Sequence, residues 1–218
     1  MIYRHGLYVY LLGTLILFMG CISTAKTAMS PGSQEDLPGC YEIFPVGSWE
    51  SVHRIEATIR NGSSSSLLGV TKGEPLERRL QSLLITPEGF ILFDAELSEG
   101  EIAVRKAVPP FDSPTLARGL MEDVTLLFLP PQGRPKTWGK EADGTWVCRW
   151  ESPDGSRTEV RGSMDHGWRI LRRDDRGEAT REISLNGPFV QSLASHMELR
   201  ASKPASYRLR MTLLQVGP

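Results

Sequence analysis

Residues that commonly carry catalysis or bind metals are scarce in this sequence. It contains four histidines and three cysteines among 218 residues. No histidine stands in an HExxH or similar ligand spacing, and no Gly-x-Ser-x-Gly elbow is present. Residues 163–166 (Ser-Met-Asp-His) hold the residue types of a catalytic triad, but consecutive residues cannot adopt triad geometry by themselves. We therefore expect no enzyme activity and no cofactor or metal.

The sequence also lacks an excess of charge of either sign. Its 25 Lys and Arg residues face 26 Asp and Glu residues, which gives a net charge of −1. A nucleic-acid-binding domain usually presents a basic patch, so we expect no nucleic-acid partner. Asp174 and Asp175 stand without further ligands at calcium-loop spacing, and we interpret them as part of a turn. The length and the 40% hydrophobic content suit one domain with a sizeable core.

The N-terminus predicts export. A weakly basic start precedes residues 7–19, which are nearly all apolar, and Gly20-Cys21 follows. This order is typical of a secretory signal peptide. The junction resembles the bacterial lipobox, in which a small residue precedes a cysteine that becomes lipidated, although Phe18 stands where Leu is usual. We predict a lipoprotein signal peptide over residues 1–20 and a lipid anchor on Cys21, with an uncleaved anchor or an ordinary cleaved signal as alternatives.

The residues after Cys21 predict the membrane to which the protein is sorted and a flexible tether before the domain. By resemblance to enterobacterial sorting rules, Asp at the next position would mean retention at the inner membrane, so Ile22 favours the outer membrane and its periplasmic face. Residues 21–39 are rich in Ser, Thr, Gly and Pro and have no periodic apolar pattern, which is typical of a flexible tether. The folded domain is then predicted over residues 40–218.

The centre of the chain predicts strands joined by tight turns. Residues 86–89 (Thr-Pro-Glu-Gly) favour a β-turn, because Pro fixes φ at the second position and Gly closes the turn. Apolar and polar residues alternate between this turn and residues 98–100 (Ser-Glu-Gly). Similar alternation recurs after residue 146. Residues 131–143 are interpreted as an irregular loop, and residues 189–194 as a short helical turn.

One amphipathic helix is predicted at Pro114–Phe128. Ser113 suits the N-cap, Pro114 the first helical position, and Pro130 stops the helix. Its apolar stripe, with residues three and four apart, consists of Leu116, Leu120, Val124, Leu127 and Phe128. Glu122 and Asp123 fall on the polar side, where we expect solvated charges.

These elements predict a mainly β (α+β) fold. About eleven short strands each carry one apolar and one polar face, so one side of the sheet is buried. A single sheet of this width curls. We therefore predict a wide curved antiparallel sheet that forms an unclosed β-barrel, with the helix as a lid over its concave side.

The lipobox, the wide sheet and the inserted helix resemble the Lol proteins, which are the periplasmic lipoprotein carrier LolA and its outer-membrane receptor LolB. The chain is also similar to a related family of outer-membrane lipoproteins. The matching segments are residues 86–89, the acidic hairpin at 97–100, the helix from Leu116, and the strand beginning Tyr207-Arg208-Leu209. This resemblance implies a half-barrel with a helical lid over a hydrophobic cavity that holds acyl chains. It supplies no catalytic site.

The resemblance and the strand pattern together define a hypothetical binding site. The strand residues expected to face the helix stripe are Ile91, Phe93, Ile102, Val104, Leu209 and Met211. We expect a monomer that contacts the membrane through its lipid anchor and binds acyl chains or lipoproteins in this cavity. The alternative is a structural or interaction lipoprotein without a ligand. The Lol receptor inserts an apolar loop into the membrane; residues 127–130 (Leu-Phe-Leu-Pro) are apolar but also form a plain helix end.

Two further groups of residues leave alternatives open. If Cys21 is lipidated, Cys40 and Cys148 remain as a pair in an oxidising compartment, where they form either a disulfide or two free buried thiols. The tryptophans at 146, 150 and 168 belong either to a ligand pocket or to the core. His53 lies on the apolar face of a strand, and we expect a core or cavity histidine there.

Overall fold

A computed structural model describes residues 30–32, 37, 39–203 and 205–217 of the chain. The predicted signal peptide at residues 1–20, Cys21 and most of the predicted tether lie outside these residues. Within the described part the fold is mainly β, with thirteen strands in one sheet and one α-helix.

The strands follow one another mostly as antiparallel hairpins. Their bounds are β1 Ser30–Pro31, β2 Trp49–Ile59, β3 Ser64–Glu74, β4 Arg79–Ile85, β5 Ile91–Ser98, β6 Glu101–Ala107, β7 Thr137–Lys140, β8 Trp146–Glu151, β9 Arg157–Ser163, β10 Gly167–Arg173, β11 Ala179–Val190, β12 Leu193–Ala201 and β13 Tyr207–Gly217. A short 3-10 helix, Pro75–Glu77, lies between β3 and β4.

The order of the strands leaves the sheet open beside the helix. It runs β1-β7-β8-β9-β10-β11-β12-β13-β2-β3-β4-β5-β6, so β13 pairs with β2 and the edges are β6 and the short β1 beyond β7. The helix connects β6, at one edge, to β7, the strand next to the other edge. The architecture is an unclosed antiparallel barrel with a helical lid, as the sequence predicts.

The helix, α1, spans Pro114–Phe128 as predicted. Ser113 is the N-cap, and its carbonyl oxygen accepts a hydrogen bond from the N–H of Ala117 at 2.9 Å. Its side chain makes no capping hydrogen bond to any residue that the structure describes. At the other end Leu129 adopts an extended conformation, and Pro130 follows.

Two local predictions are wrong. Residues 131–143 contain strand β7 rather than only loop, and residues 189–194 continue β11 and start β12 rather than forming a helical turn. In addition, β1 lies within the predicted tether, where Ser30 pairs with Lys140. In each case strand pairing, which a local pattern does not reveal, decided the conformation.

The core lies between the inner face of the sheet and α1. It includes Trp146, Trp150 and Trp168, whose side chains are buried. Cys40 and Cys148 form a disulfide between the start of the domain and β8. At β2 the ring of Trp49 lies against Gly73 of β3, where an added Cβ would come within 2.4 Å of the ring. None of the described helices is long and apolar enough to cross a membrane.

Candidate functional site

The helix packs on the inner face of the sheet through its C-terminal half. Met121 is 0% exposed, and Phe128 lies with its ring centroid 4.9 Å from that of Trp49. Phe93 of β5 is also buried, and its ring faces Phe111 in the loop before the helix at 6.4 Å. These side chains occupy the space between helix and sheet that the sequence assigns to a cavity.

The predicted cavity residues fall into three groups. Phe93, Leu127, Phe128 and Met211 are buried in the core. The half-buried group is Ile91, Ile102, Leu116, Leu120, Val124 and Leu209. Val104 is 45% exposed, so its assignment to a buried cavity wall is wrong. It pairs with the buried Ala95 and shares its face, but β6 is an edge strand and leaves Val104 uncovered.

The polar side of the helix is not fully solvated, and the prediction for Asp123 is wrong. Its side chain is 2% exposed, and its carboxylate accepts a hydrogen bond from Nε of Arg181 on β11. Tyr207 of β13 donates its hydroxyl to the other carboxylate oxygen. Arg181 also donates to the carbonyl oxygens of Thr180, at 3.0 Å, and Lys203, at 2.5 Å. We call Asp123, Arg181 and Tyr207 the polar clasp, because they join the helix to two strands.

The environment of the polar clasp maintains its charges. Burial alone would lower the pKa of Arg181, but the charge and hydrogen bond of Asp123 raise it above its usual value. Burial raises the pKa of Asp123, while the Arg181 charge and the Tyr207 hydroxyl oppose that change. Burial and the neighbouring carboxylate raise the pKa of Tyr207, so its hydroxyl stays protonated as a donor. Because Arg181 keeps its charge, we assign an ionised Asp123 at neutral pH.

A second buried polar group lies under the end of the helix. The His53 ring is 5.9 Å from that of Phe128, and its Nδ1 is 3.4 Å from the hydroxyl of Ser51. Its Nε2 is buried and has no hydrogen-bond partner among the residues that the structure describes, and the same holds for the indole nitrogen of Trp49. Desolvation lowers the pKa of His53 to about 4, so the ring is neutral at physiological pH.

An open cleft lies beside the polar clasp. It has a volume of about 480 Å³ and is bounded by α1 and by the ends of β10 and β11. Glu122, Asp123 and Leu126 line it on the helix side. The strands and loops contribute side chains of both charges, which are Arg172, Arg173, Arg181, Lys203, Asp154 and Asp174. Among the described residues, no three His, Cys, Asp or Glu side chains converge in a way that could hold a metal ion.

Comparison with solved structures identifies the fold. A LolA superfamily protein from Nitrosomonas europaea matches 86% of this chain and 93% of its own, with a TM-score of 0.54 and 10% sequence identity. The chain has the LolA fold. The LolA-like half-barrel therefore persists here at very low sequence identity.

Two other structures match less well. An outer-membrane lipoprotein-sorting domain from Vibrio parahaemolyticus, so described, and a DUF1329 family protein from Desulfovibrio piger have TM-scores of 0.49 and 0.48. Each is 8% identical and covers 84% of this chain and 90% of its own. No protein-family model and no curated protein matches the sequence.

Within the LolA-like fold, the apolar loop exposed to solvent is not the helix end. Leu127, Phe128 and Leu129 are buried, so residues 127–130 do not protrude. Large apolar side chains are exposed elsewhere: Leu76, in the 3-10 helix between β3 and β4, by 90%, Val46 by 86% and Phe90 by 70%. Sequence reasoning missed them because isolated apolar residues give no periodic signal.

Proposed function

We propose that this protein is a lipid-anchored outer-membrane lipoprotein facing the periplasm, and that it binds acyl chains of lipids or lipoproteins as a carrier or receptor. The observation that carries the proposal is the position of α1. The helix lies over the inner face of an unclosed sheet and presents the buried Met121 and Phe128 to it. An apolar chain that replaced the helix there would meet the same apolar wall.

Such binding needs no chemistry, because burying an acyl chain gains about 0.8 kcal/mol per methylene. The helix side chains occupy the inner face, so a chain enters only when α1 moves outward. The polar clasp opposes that movement, since separating Asp123 from Arg181 exposes or isolates two buried charges. The clasp would thus set how readily the lid opens.

A second candidate function is a structural or interaction lipoprotein with a permanently filled interior. The complete burial of Met121 and the near-complete burial of Phe93 favour it. The two candidates differ in one respect that can be measured, which is whether the interior accepts a guest chain.

Binding of a dansyl-labelled undecanoic acid to the purified protein, together with mass spectrometry of its solvent extract, tests the proposal. We expect the wild type to bind the probe or to carry lipid. Leu120 is half-buried and packs against the core, so Leu120→Glu places a carboxylate beside the guest chain and should abolish probe binding. The far-UV β signal should persist in this variant.

The polar clasp supplies a kinetic test with a matched control. Asp123→Ala should release the helix and speed probe uptake, whereas Glu122→Ala removes an exposed acid from the same turn and should leave the rate unchanged. A wild type that binds no probe and carries no lipid would favour the interaction protein over the carrier.

A further inference from the structure

Arg172 of β10 and Arg181 of β11 lie directly opposite each other in the sheet. Side chains at opposed positions leave the same face with their Cβ atoms about 5 Å apart. Like charges in this arrangement repel each other and destabilise the strand pair. The sheet therefore holds two guanidinium groups side by side at a cost in stability.

Only one of the two cations has a close counter-charge. Arg181 is paired with Asp123, whereas the nearest carboxylate oxygen to Arg172 is that of Asp154, at 3.9 Å. The other bond of Arg172 is to the hydroxyl of Ser156, at 3.2 Å. Arg181 is engaged by Asp123, by the carbonyl oxygens of Thr180 and Lys203, and by the Tyr207 hydroxyl. Among the described residues, Nε and Nη1 of Arg172 donate no hydrogen bond, so the unused N–H donors of the pair belong to Arg172.

The side chains of Arg172 and Arg181 line the cleft beside the polar clasp. Arg173 adds a third guanidinium, which donates to the carbonyl of Gly177 and has no described carboxylate within 4 Å. The helix side contributes Leu126, which belongs to the core, and Glu122, which has no ion-pair partner among the described residues. Asp123, Asp154 and Asp174 also line the cleft, so it presents groups of both charges beside an entrance to the apolar core. Such a surface complements an amphiphile with a zwitterionic head.

We propose that this cleft binds a phospholipid headgroup of the phosphoethanolamine class, with the phosphate between Arg172 and Arg181 and the amine toward Glu122. Guanidinium groups bind phosphate through paired charge-assisted hydrogen bonds. The inference rests on the proposed function and deepens it, because the acyl chains of the same molecule would pass Leu126 toward the interior. The bound phosphate would also offset the repulsion between the two arginines.

Calorimetric titration of the full-length protein with dihexanoyl phosphatidylethanolamine, below its micelle concentration, tests this site. We expect Arg172→Gln to weaken binding about tenfold. Arg149→Gln removes an exposed arginine that pairs with Glu159 on β9, and binding should stay within about twofold of the wild type. The melting temperature distinguishes a role of Arg172 in binding from a role in stability. The Arg172→Gln variant should have a melting temperature equal to or above that of the wild type, because it removes one charge of the like-charge pair.

A second variant and two other ligands distinguish the possible outcomes. If Arg172→Gln fails to fold, the exposed Arg173→Gln should still weaken binding, by about threefold. Unchanged lipid binding in both variants would overturn the proposal, and inorganic phosphate that binds as tightly as the lipid would assign the site to free phosphate. A wild type that binds the dansyl fatty acid but not the phospholipid would end the headgroup proposal and leave the acyl-chain function intact. Binding of neither probe would reject both.

Discussion

Asp123 on the helix and Arg181 on β11 form a buried ion pair across 58 positions of sequence. Both side chains are almost completely removed from solvent. Together with the hydroxyl of Tyr207 they form a polar link between the lid and strands β11 and β13. The charge pair gives the lid one preferred position, which an apolar contact alone specifies less well.

Asp123→Ala should destabilise the protein by about 3–5 kcal/mol, because it leaves the Arg181 charge buried and unpaired. Glu122→Ala should change the free energy of unfolding by less than about 0.5 kcal/mol, since Glu122 is exposed. Urea denaturation of both variants measures the difference. Equal losses would mean that the ion pair contributes no more than a surface charge.

His53 should make stability depend on pH. Its pKa is about 4 in the folded protein against the ordinary 6.5, so the unfolded chain binds the proton more readily. The contribution is complete above pH 6.5 and is lost as the pH falls toward 4. When the pH falls from 7 to 4.5, the free energy of unfolding of the wild type should fall because of His53 by about 2 kcal/mol. The His53→Leu variant should not show this part of the decrease. Denaturation curves of both proteins at the two pH values test it, and parallel losses would contradict a neutral buried ring.

The disulfide should stabilise the start of the domain against unfolding. Cys40 and Cys148 are 108 positions apart, and a bridge over a long loop restricts the unfolded chain strongly. Replacing both with Ala should cost about 2–5 kcal/mol. Alkylation and mass spectrometry of the non-reduced protein check the bond itself. Two freely alkylated thiols in protein taken from the periplasm would show that the pair stays reduced there.

Cys21 should carry the lipid anchor. Metabolic labelling with a fatty-acid probe should mark the wild type, because Gly20-Cys21 follows an apolar run at the N-terminus. Cys21→Ser should remove the label and release the protein from membranes. Labelling of the serine variant at the wild-type level would reject the lipoprotein signal.

Local signals were sufficient for most of the fold. Residues 86–89 form the predicted turn between β4 and β5, and α1 has the predicted bounds, because both depend on neighbouring residues in the chain. The alternation of β5 likewise identified Phe93, Ala95 and Leu97 as one buried face.

The site was harder to predict because it depends on distant partners. Asp123 is a polar residue on a helix, and only its contact with Arg181 distinguishes it from the exposed Glu122 beside it. Val104 was assigned to the right face of β6, but the pattern of one strand does not say whether that strand lies at an edge. The opposed pair Arg172 and Arg181 depends in the same way on the register of two strands.

The place of β13 between β12 and β2 has a consequence for the order in which the domain assembles. The strands β2–β6 and β7–β12 can each form from neighbouring hairpins, but no pairing joins the two groups until the strand Tyr207–Gly217 has emerged. Before then, β2 and β12 each present an unpaired edge, which is the kind of surface on which chains aggregate. A chain of this protein is therefore most in need of a chaperone until its final strand has reached the compartment in which it folds.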